Sequence, residues 1–93
     1  MTSLANAFGT AIRRRREALG LSQEELAYRA GLHRTYISLI ERGLRNASIE
    51  TIVKLSKALK TTGHELLKET EVEVREPPGQ QTQRGPRPRN IDD

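Results

Sequence analysis

Residues 21–43 read LSQEELAYRAGLHRTYISLIERG. This stretch decides the fold, because it spells two short helices around one tight turn. Ser22 stands where its hydroxyl can accept from the free amides of a first helical turn. Glu25, three residues on, can reach back to the Ser22 amide, which makes a capping box with Leu21 and Leu26 as its hydrophobic staple. Glu24 and Glu25 also suit the positive end of a helix dipole. Gly31 fits the left-handed backbone position that ends a helix. A second helix then runs from about His33 to Glu41, and Gly43 stops it. Leu26, Ala27, Ala30, Leu32, Ile37 and Ile40 are placed to join the pair through small and aliphatic contacts. The second helix therefore projects an exposed edge, which begins with His33, Arg34, Thr35, Tyr36 and Ser38. These are hydrogen-bonding side chains gathered at a helix N-terminus.

Working outward, residues 4–19 carry Leu4, Phe8, Ile12 and Leu19 near one face at helical spacing, with Gly20 as the stop. The run Arg13–Arg16 lies within that helix. Arg13 to Arg15 read as a solvated face in preference to a phosphate clamp. On the other side, Ser48 is a cap signal for a fourth helix over about 49–60, bearing Ile49, Ile52, Leu55, Ala58 and Leu59 near one side. Ile49, Ile52 and Leu55 serve equally well as core or as dimer interface at this level. Thr62-Gly63-His64-Glu65 opens a short fifth helix that ends near Glu69. Val72 and Val74 alternate with charges, the pattern of a brief strand. From residue 76 the chain is Pro, Gly, Gln and Arg with almost nothing apolar, and the composition predicts disorder. The arginines of that tail, Arg84, Arg87 and Arg89, lie close to Asp92 and Asp93 and read as solvated. The expected architecture is all-α: a compact five-helix domain over 1–69 with its motif at 22–42, then an extension over 70–93.

The composition agrees. A chain of 93 residues has room for one domain. It is 34% hydrophobic but only 3% aromatic, which suits a helical bundle better than a sheet sandwich. Cysteine is absent, so neither a disulfide nor a cysteine-built zinc site can staple the fold. The two histidines, His33 and His64, are too few for a metal cluster. No apolar run suggests a signal peptide or a membrane span, and a cytoplasmic, nucleoid-associated protein is expected. Residues 1–69 hold 12 Lys and Arg against 7 Asp and Glu, a net charge of +5, whereas residues 70–93 sum to −1. The basic character belongs to the folded part, which points to a polyanionic partner. No nucleophile–base pairing, phosphate loop or metal-ligand spacing is present, so neither an enzyme nor a cofactor is expected.

The order and spacing of Gly20-Leu21-Ser22-Gln23, Glu25-Leu26-Ala27, Gly31, Ile37-Ser38 and Glu41-Arg42-Gly43 resemble the lambda-repressor and Cro type of helix-turn-helix, the xenobiotic-response-element family. The resemblance covers roughly Phe8 to Leu67. The stretch RGLRNASIETIVKLSKAL at 42–59 further resembles the controller proteins of restriction–modification systems. The resemblance implies a lambda-repressor-like fold that regulates transcription by binding double-stranded DNA. The binder would be a homodimer on an inverted repeat, with helix 33–41 in the major groove. It implies that Gln23, capped by Ser22, bonds a phosphate and braces the base readers. Arg34 and Thr35 match base-reading positions, with Tyr36 beside them. Arg45 and Asn46 match a loop that approaches the backbone or minor groove. Arg16 and Glu41 match a partly buried ion pair, and the dimer interface falls on the fourth and fifth helices. Leu39 departs from the pattern. It stands where several repressors place a polar base reader, and contact with a thymine methyl or no contact at all are both open.

Elementary chemistry fits these roles. The Arg fork matches guanine O6 and N7, a contact that discriminates by about 1–3 kcal/mol. Thr35 can donate, accept or offer a methyl. His33 reads as a surface or capping residue that also stands at the exposed edge. Two other readings use the same residues. One is an antitoxin, whose tail would fold onto a protein partner. The other is a protein-interaction module that does not bind DNA.

Overall fold

The computed structural model describes residues 3–75. The expectations of disorder and of a protein partner on the C-terminal tail fall on residues 76–93 and lie outside the described residues. Among the described residues there are five helices and no strand: α1 (Leu4–Ala18), α2 (Gln23–Ala30), α3 (Arg34–Glu41), α4 (Ile49–Ala58) and α5 (Gly63–Arg75).

Side-chain oxygens open four of the five. Ser3 accepts from the Asn6 amide at 3.1 Å, and Ser48 from the Thr51 amide at 3.1 Å. Thr62 accepts from the Glu65 amide at 3.1 Å. At α2 the capping box is complete: Ser22 Oγ accepts from the Glu25 amide at 3.0 Å, and Glu25 Oε1 accepts from the Ser22 amide at 2.8 Å. The odd one is α3, where His33 makes no side-chain capping bond.

The C-terminal ends of α1 to α4 share one geometry. Gly31 sits at φ 70°, its amide donates to the Tyr28 carbonyl, and the Leu32 amide donates to the Ala27 carbonyl at 2.9 Å. This is the Schellman closure, which requires a left-handed residue and therefore favours glycine. The same pair of bonds closes α1, α3 and α4. At α4 the left-handed residue is Lys60, at φ 59°. The helix accordingly stops at Ala58, short of the expected Lys60.

Helix α1 packs on α3 and α5, α2 packs on α3 and α4, and α4 packs on α5. Ile12, Leu26, Ile37, Ile40, Leu55, Leu59 and Leu66 are fully buried at the centre, with Phe8, Ala27, Ala30 and Ala58 around them. Each large aliphatic side chain so buried contributes about 1.5–3 kcal/mol. Gly9 lets α1 touch the end of α3. A Cβ there would stand 2.7 Å from the Glu41 carbonyl oxygen and closer still to that of Ile40.

Three expectations need correction. Leu4 and Leu19 are exposed, because the face of α1 that meets the core is centred on Phe8 and Ile12. Leu55 is fully buried in the protomer's own core and has no surface left for a dimer interface, whereas Ile52 is half-buried and Ile49 is 81% exposed. Last, α5 does not stop near Glu69, and Val72 and Val74 form no strand: the helix runs to Arg75. An isolated strand has no ladder partner to satisfy its backbone. A continued helix brings Glu69 and Glu73, one turn apart, against α1. There Glu69 accepts from Arg15 Nε at 3.1 Å and Glu73 accepts from Arg14 Nη1 at 2.9 Å. Two members of the arginine run are thus turned towards α5, and Arg13 pairs with Glu17 on its own helix. The hydrogen bond to Glu69 raises the Arg15 pKa.

Candidate nucleic-acid interface

The edge of α3 is built on two buried residues. Ile37 and Ile40 face the core, which fixes the helix phase and leaves the remaining positions outward or at the margin. His33, Arg34 and Thr35 are exposed, and Tyr36, Ser38 and Leu39 are half-buried. Arg34 and Ser38 are one turn apart, as are Thr35 and Leu39, so each pair forms a stripe along the helix. Leu39 lines a shallow groove together with Leu32, His33, Thr35, Tyr36 and Arg45. It therefore belongs to the same surface as the polar residues and does not cover the core. The uncapped N-terminus of α3 adds the positive end of a helix dipole to this edge.

The loop 42–48 closes the groove on one side. Gly43, in the left-handed region, turns the chain out of α3. Arg45 and Asn46 are exposed on the loop. The Arg45 guanidinium lies over the Tyr36 ring, 5.4 Å from its centroid, a cation–π contact that joins loop to helix. Tyr36 is held at its far end as well, with its hydroxyl 3.4 Å from Thr51 Oγ1 on α4.

Behind the edge lies a buried polar cluster. Glu41, at the end of α3, accepts from Arg16 Nε at 2.7 Å, from Arg16 Nη2 at 3.1 Å and from Gln23 Nε2 at 3.0 Å. Arg16 Nη1 donates to the Leu21 carbonyl at 2.8 Å. The Glu41 side chain is 3% exposed and that of Arg16 is 13% exposed. The structure thus brings together Arg16, Gln23 and Glu41, one from each of three helices, at the crossing of α1, α2 and α3. The Glu41 hydrogen bonds raise the Arg16 pKa against the opposing effect of burial, and the guanidinium stays charged. Gln23 is half-buried with its amide nitrogen committed to Glu41, and Ser22 is exposed beside it.

Two residues escape a reading of the sequence alone. Glu24 of α2 lies 3.7 Å from Arg34 Nε, with both side chains open to water. Thr51, buried on α4, holds Tyr36. Neither carries a local signal, because each acts across a helix–helix contact. Glu24 reads as ordinary first-turn acid and Thr51 as the third residue after a cap.

The helix-turn-helix family model HTH_3 matches residues 12–66. Control protein C.BamHI of Bacillus amyloliquefaciens is 51% identical over 61 residues, covering 64% of this chain and 75% of the relative. Control protein C.MunI of Mycoplasma sp. is 39% identical over 74 residues, covering 78% of this chain and all of the relative (100%). Among solved structures, the restriction–modification controller protein C.AhdI of Aeromonas hydrophila superimposes with a TM-score of 0.65 at 47% identity, covering 67% of this chain and 94% of that one. The wild-type controller C.Esp1396I gives a TM-score of 0.72 at 32% identity, covering 82% and 97%.

Proposed function

This chain belongs to the helix-turn-helix family of the Cro/C1 type, and from that premise we propose that it is a sequence-specific regulator of transcription working as a homodimer on an inverted-repeat operator. The observation that carries the reading is the edge of α3. Arg34 and Thr35 stand exposed at its N-terminal end, with Ser38 and Leu39 a turn behind and Arg45 on the adjoining loop. A helix of this kind enters the major groove by its N-terminal residues. Arg34 is assigned to guanine, Thr35 and Ser38 to base edges or nearby phosphates, and Leu39 to a thymine methyl. Gln23, Ser22, Tyr36, Arg45 and Asn46 flank that edge and are assigned to the backbone, with His33 at the helix entrance. The relatives are named as control proteins of restriction–modification systems, and the same regulatory role is proposed here. DNA binding is assigned to the five-helix unit, whose last helix moves its boundary from the expected Glu69 to Arg75, with 76–93 as an extension.

One recognition helix covers only a few base pairs, so two are needed for specificity, about 34–36 Å apart. The dimer is assigned to the outer faces of α4 and α5. Ile49, Val53 and Leu67 are exposed there, and Ile52 and Leu67 line one groove with Leu4 and Ala47. Exposed aliphatic side chains grouped this way support an interface between copies. No helix among the described residues is long and apolar enough to cross a membrane.

The test is selection from a random duplex library with the native protein and Arg34→Ala at two salt concentrations. The native protein is expected to enrich an inverted repeat containing guanine. Arg34→Ala is expected to lose about 1–3 kcal/mol per half-site and to relax the preference at the corresponding guanine of each half-site alone. Enrichment without a consensus, equally weakened by salt in both proteins, would reduce the edge to a generic basic surface.

A further inference from the structure

Tyr36 joins three segments: it sits on α3, its ring lies under Arg45 of the loop, and its hydroxyl meets α4 at Thr51. The hydrogen bonds around Thr51 have a direction. Ser48 Oγ, the cap of α4, accepts the Thr51 amide at 3.1 Å and gives its own hydrogen to Thr51 Oγ1 at 3.1 Å. Thr51 Oγ1 is therefore an acceptor towards Ser48 and still holds a hydrogen of its own. The Thr51 hydroxyl is buried, 6% of the residue being exposed. Among the hydrogen bonds of the described residues, its other partner is Tyr36 Oη at 3.4 Å. A hydroxyl carries one hydrogen and two lone pairs. Either hydroxyl can donate in this contact; with the remaining Thr51 hydrogen given to Tyr36, the phenol hydrogen is free for an acceptor outside the protein.

We infer that Thr51 is a positioning residue for operator binding. Through the chain Ser48–Thr51–Tyr36, the cap of α4 fixes the Tyr36 ring beneath Arg45 and turns the phenol into a donor for a phosphate oxygen. Thr51 itself touches no nucleic acid. The inference rests on the DNA-binding reading above. It assigns the presentation of Arg45 and Tyr36 to a residue outside the helix-turn-helix.

The experiment measures affinity of the full chain for its selected operator with Thr51→Val, Thr51→Ser, Tyr36→Phe and the double variant Tyr36→Phe/Thr51→Val, with thermal unfolding of each followed by circular dichroism. Thr51→Val is expected to lose about fivefold in affinity per half-site, the value of one neutral hydrogen bond. Thr51→Ser keeps the hydroxyl and is expected to bind as the native protein does. In the Tyr36→Phe background, Thr51→Val is expected to change affinity less than about twofold, because the phenol it serves is gone. In the free protein, the Arg45 Nε–H resonance is expected to lose its Tyr36 ring-current shift in Thr51→Val. Native affinity in Thr51→Val, or an equal loss in both backgrounds that follows unfolding temperature, would overturn the inference and leave Thr51 a structural residue. If the native chain selects no duplex, the DNA-binding reading itself falls, an outcome distinct from the first.

Discussion

Replacing Glu41 by glutamine tests the centre of this structure most severely. The change keeps the volume but places an amide NH2 among the donors of Arg16 and Gln23, which now bond both carboxylate oxygens. Removing one partner of a buried ion pair typically costs about 3–5 kcal/mol, because the remaining charge is left desolvated. Arg16 retains a little exposure, 13% of its side chain, so the lower end, about 3 kcal/mol, is expected. A domain of this size has about 5–10 kcal/mol in all. The expected fall in Tm is about 12–24 °C. The chain lacks tryptophan, so urea unfolding is best followed by far-ultraviolet circular dichroism. Arg13→Gln is the control: its pair with Glu17 is open to water on both sides and is expected to be worth less than about 0.5 kcal/mol. The pH dependence has a definite sign. Arg16 has its pKa raised in the folded state. Its contribution is therefore complete below the unfolded-state value and is lost only as pH rises through the folded-state value, beyond the ordinary arginine range. The deficit of Glu41→Gln should thus stay constant through neutral and mildly alkaline conditions. A loss below about 1 kcal/mol at unchanged m-value would refute the reasoning, since that is the worth of a surface pair. Arg16→Met/Glu41→Leu extends the test. Stability should largely return, as it does when apolar groups replace a buried pair, while operator discrimination should not.

Two further outcomes are expected. Lys60→Gly should stabilise the protein by about 1 kcal/mol, because a side chain at φ 59° is strained where glycine is not; matched denaturation curves check this, and destabilisation would mean that the lysine stem packs usefully. Ile49→Glu should leave the protomer fold unchanged, since this side chain is 81% exposed. It should raise the dimer dissociation constant at least tenfold in sedimentation experiments, the equivalent of about 1.4 kcal/mol; an unchanged constant would move the interface off α4.

The sequence is most legible where helix boundaries are written in local chemistry. Ser22 with Glu25, Gly31 and Gly43 mark their turns through groups a few residues away. The end of α4 is illegible for the same reason, since Lys60 occupies a position that glycine fills elsewhere. The tail of α5 misleads because the alternation of Val72 and Val74 with glutamates imitates a strand. The acids that continue the helix, Glu69 and Glu73, meet arginines 54 and 59 residues away. Periodicity also places Ile49, Ile52 and Leu55 on one side of α4, yet their burial ranges from 81% exposed to none. A helix wheel gives direction but not the position of the neighbour. The exposed polar edge of α3 is legible through its residue types and its family resemblance. Its supports, Glu24 and Thr51, depend on contacts between helices and appear only in three dimensions.

The contacts that hold α3 lie at its two sides. The C-terminal end of α3 is fixed by Glu41, which binds Arg16 of α1 and Gln23 of α2, and by the close approach of Gly9. The opposite side of the helix is fixed by Tyr36 against Thr51 of α4. The apolar share is small: within α3 only Ile37 and Ile40 are buried. Two aliphatic side chains would hold the helix against the body, but apolar contact is non-directional and leaves rotation and sliding soft. Hydrogen bonds and a bidentate ion pair fix orientation as well as distance. Reading a base by hydrogen bonds requires placement within about 0.5 Å. A buried ion pair is a poor way to gain stability, since well-packed apolar groups often do better. It is a good way to hold one helix at one angle, and on the proposed reading, in which α3 presents Arg34 and Thr35 to a rigid duplex, that matters more than a larger core.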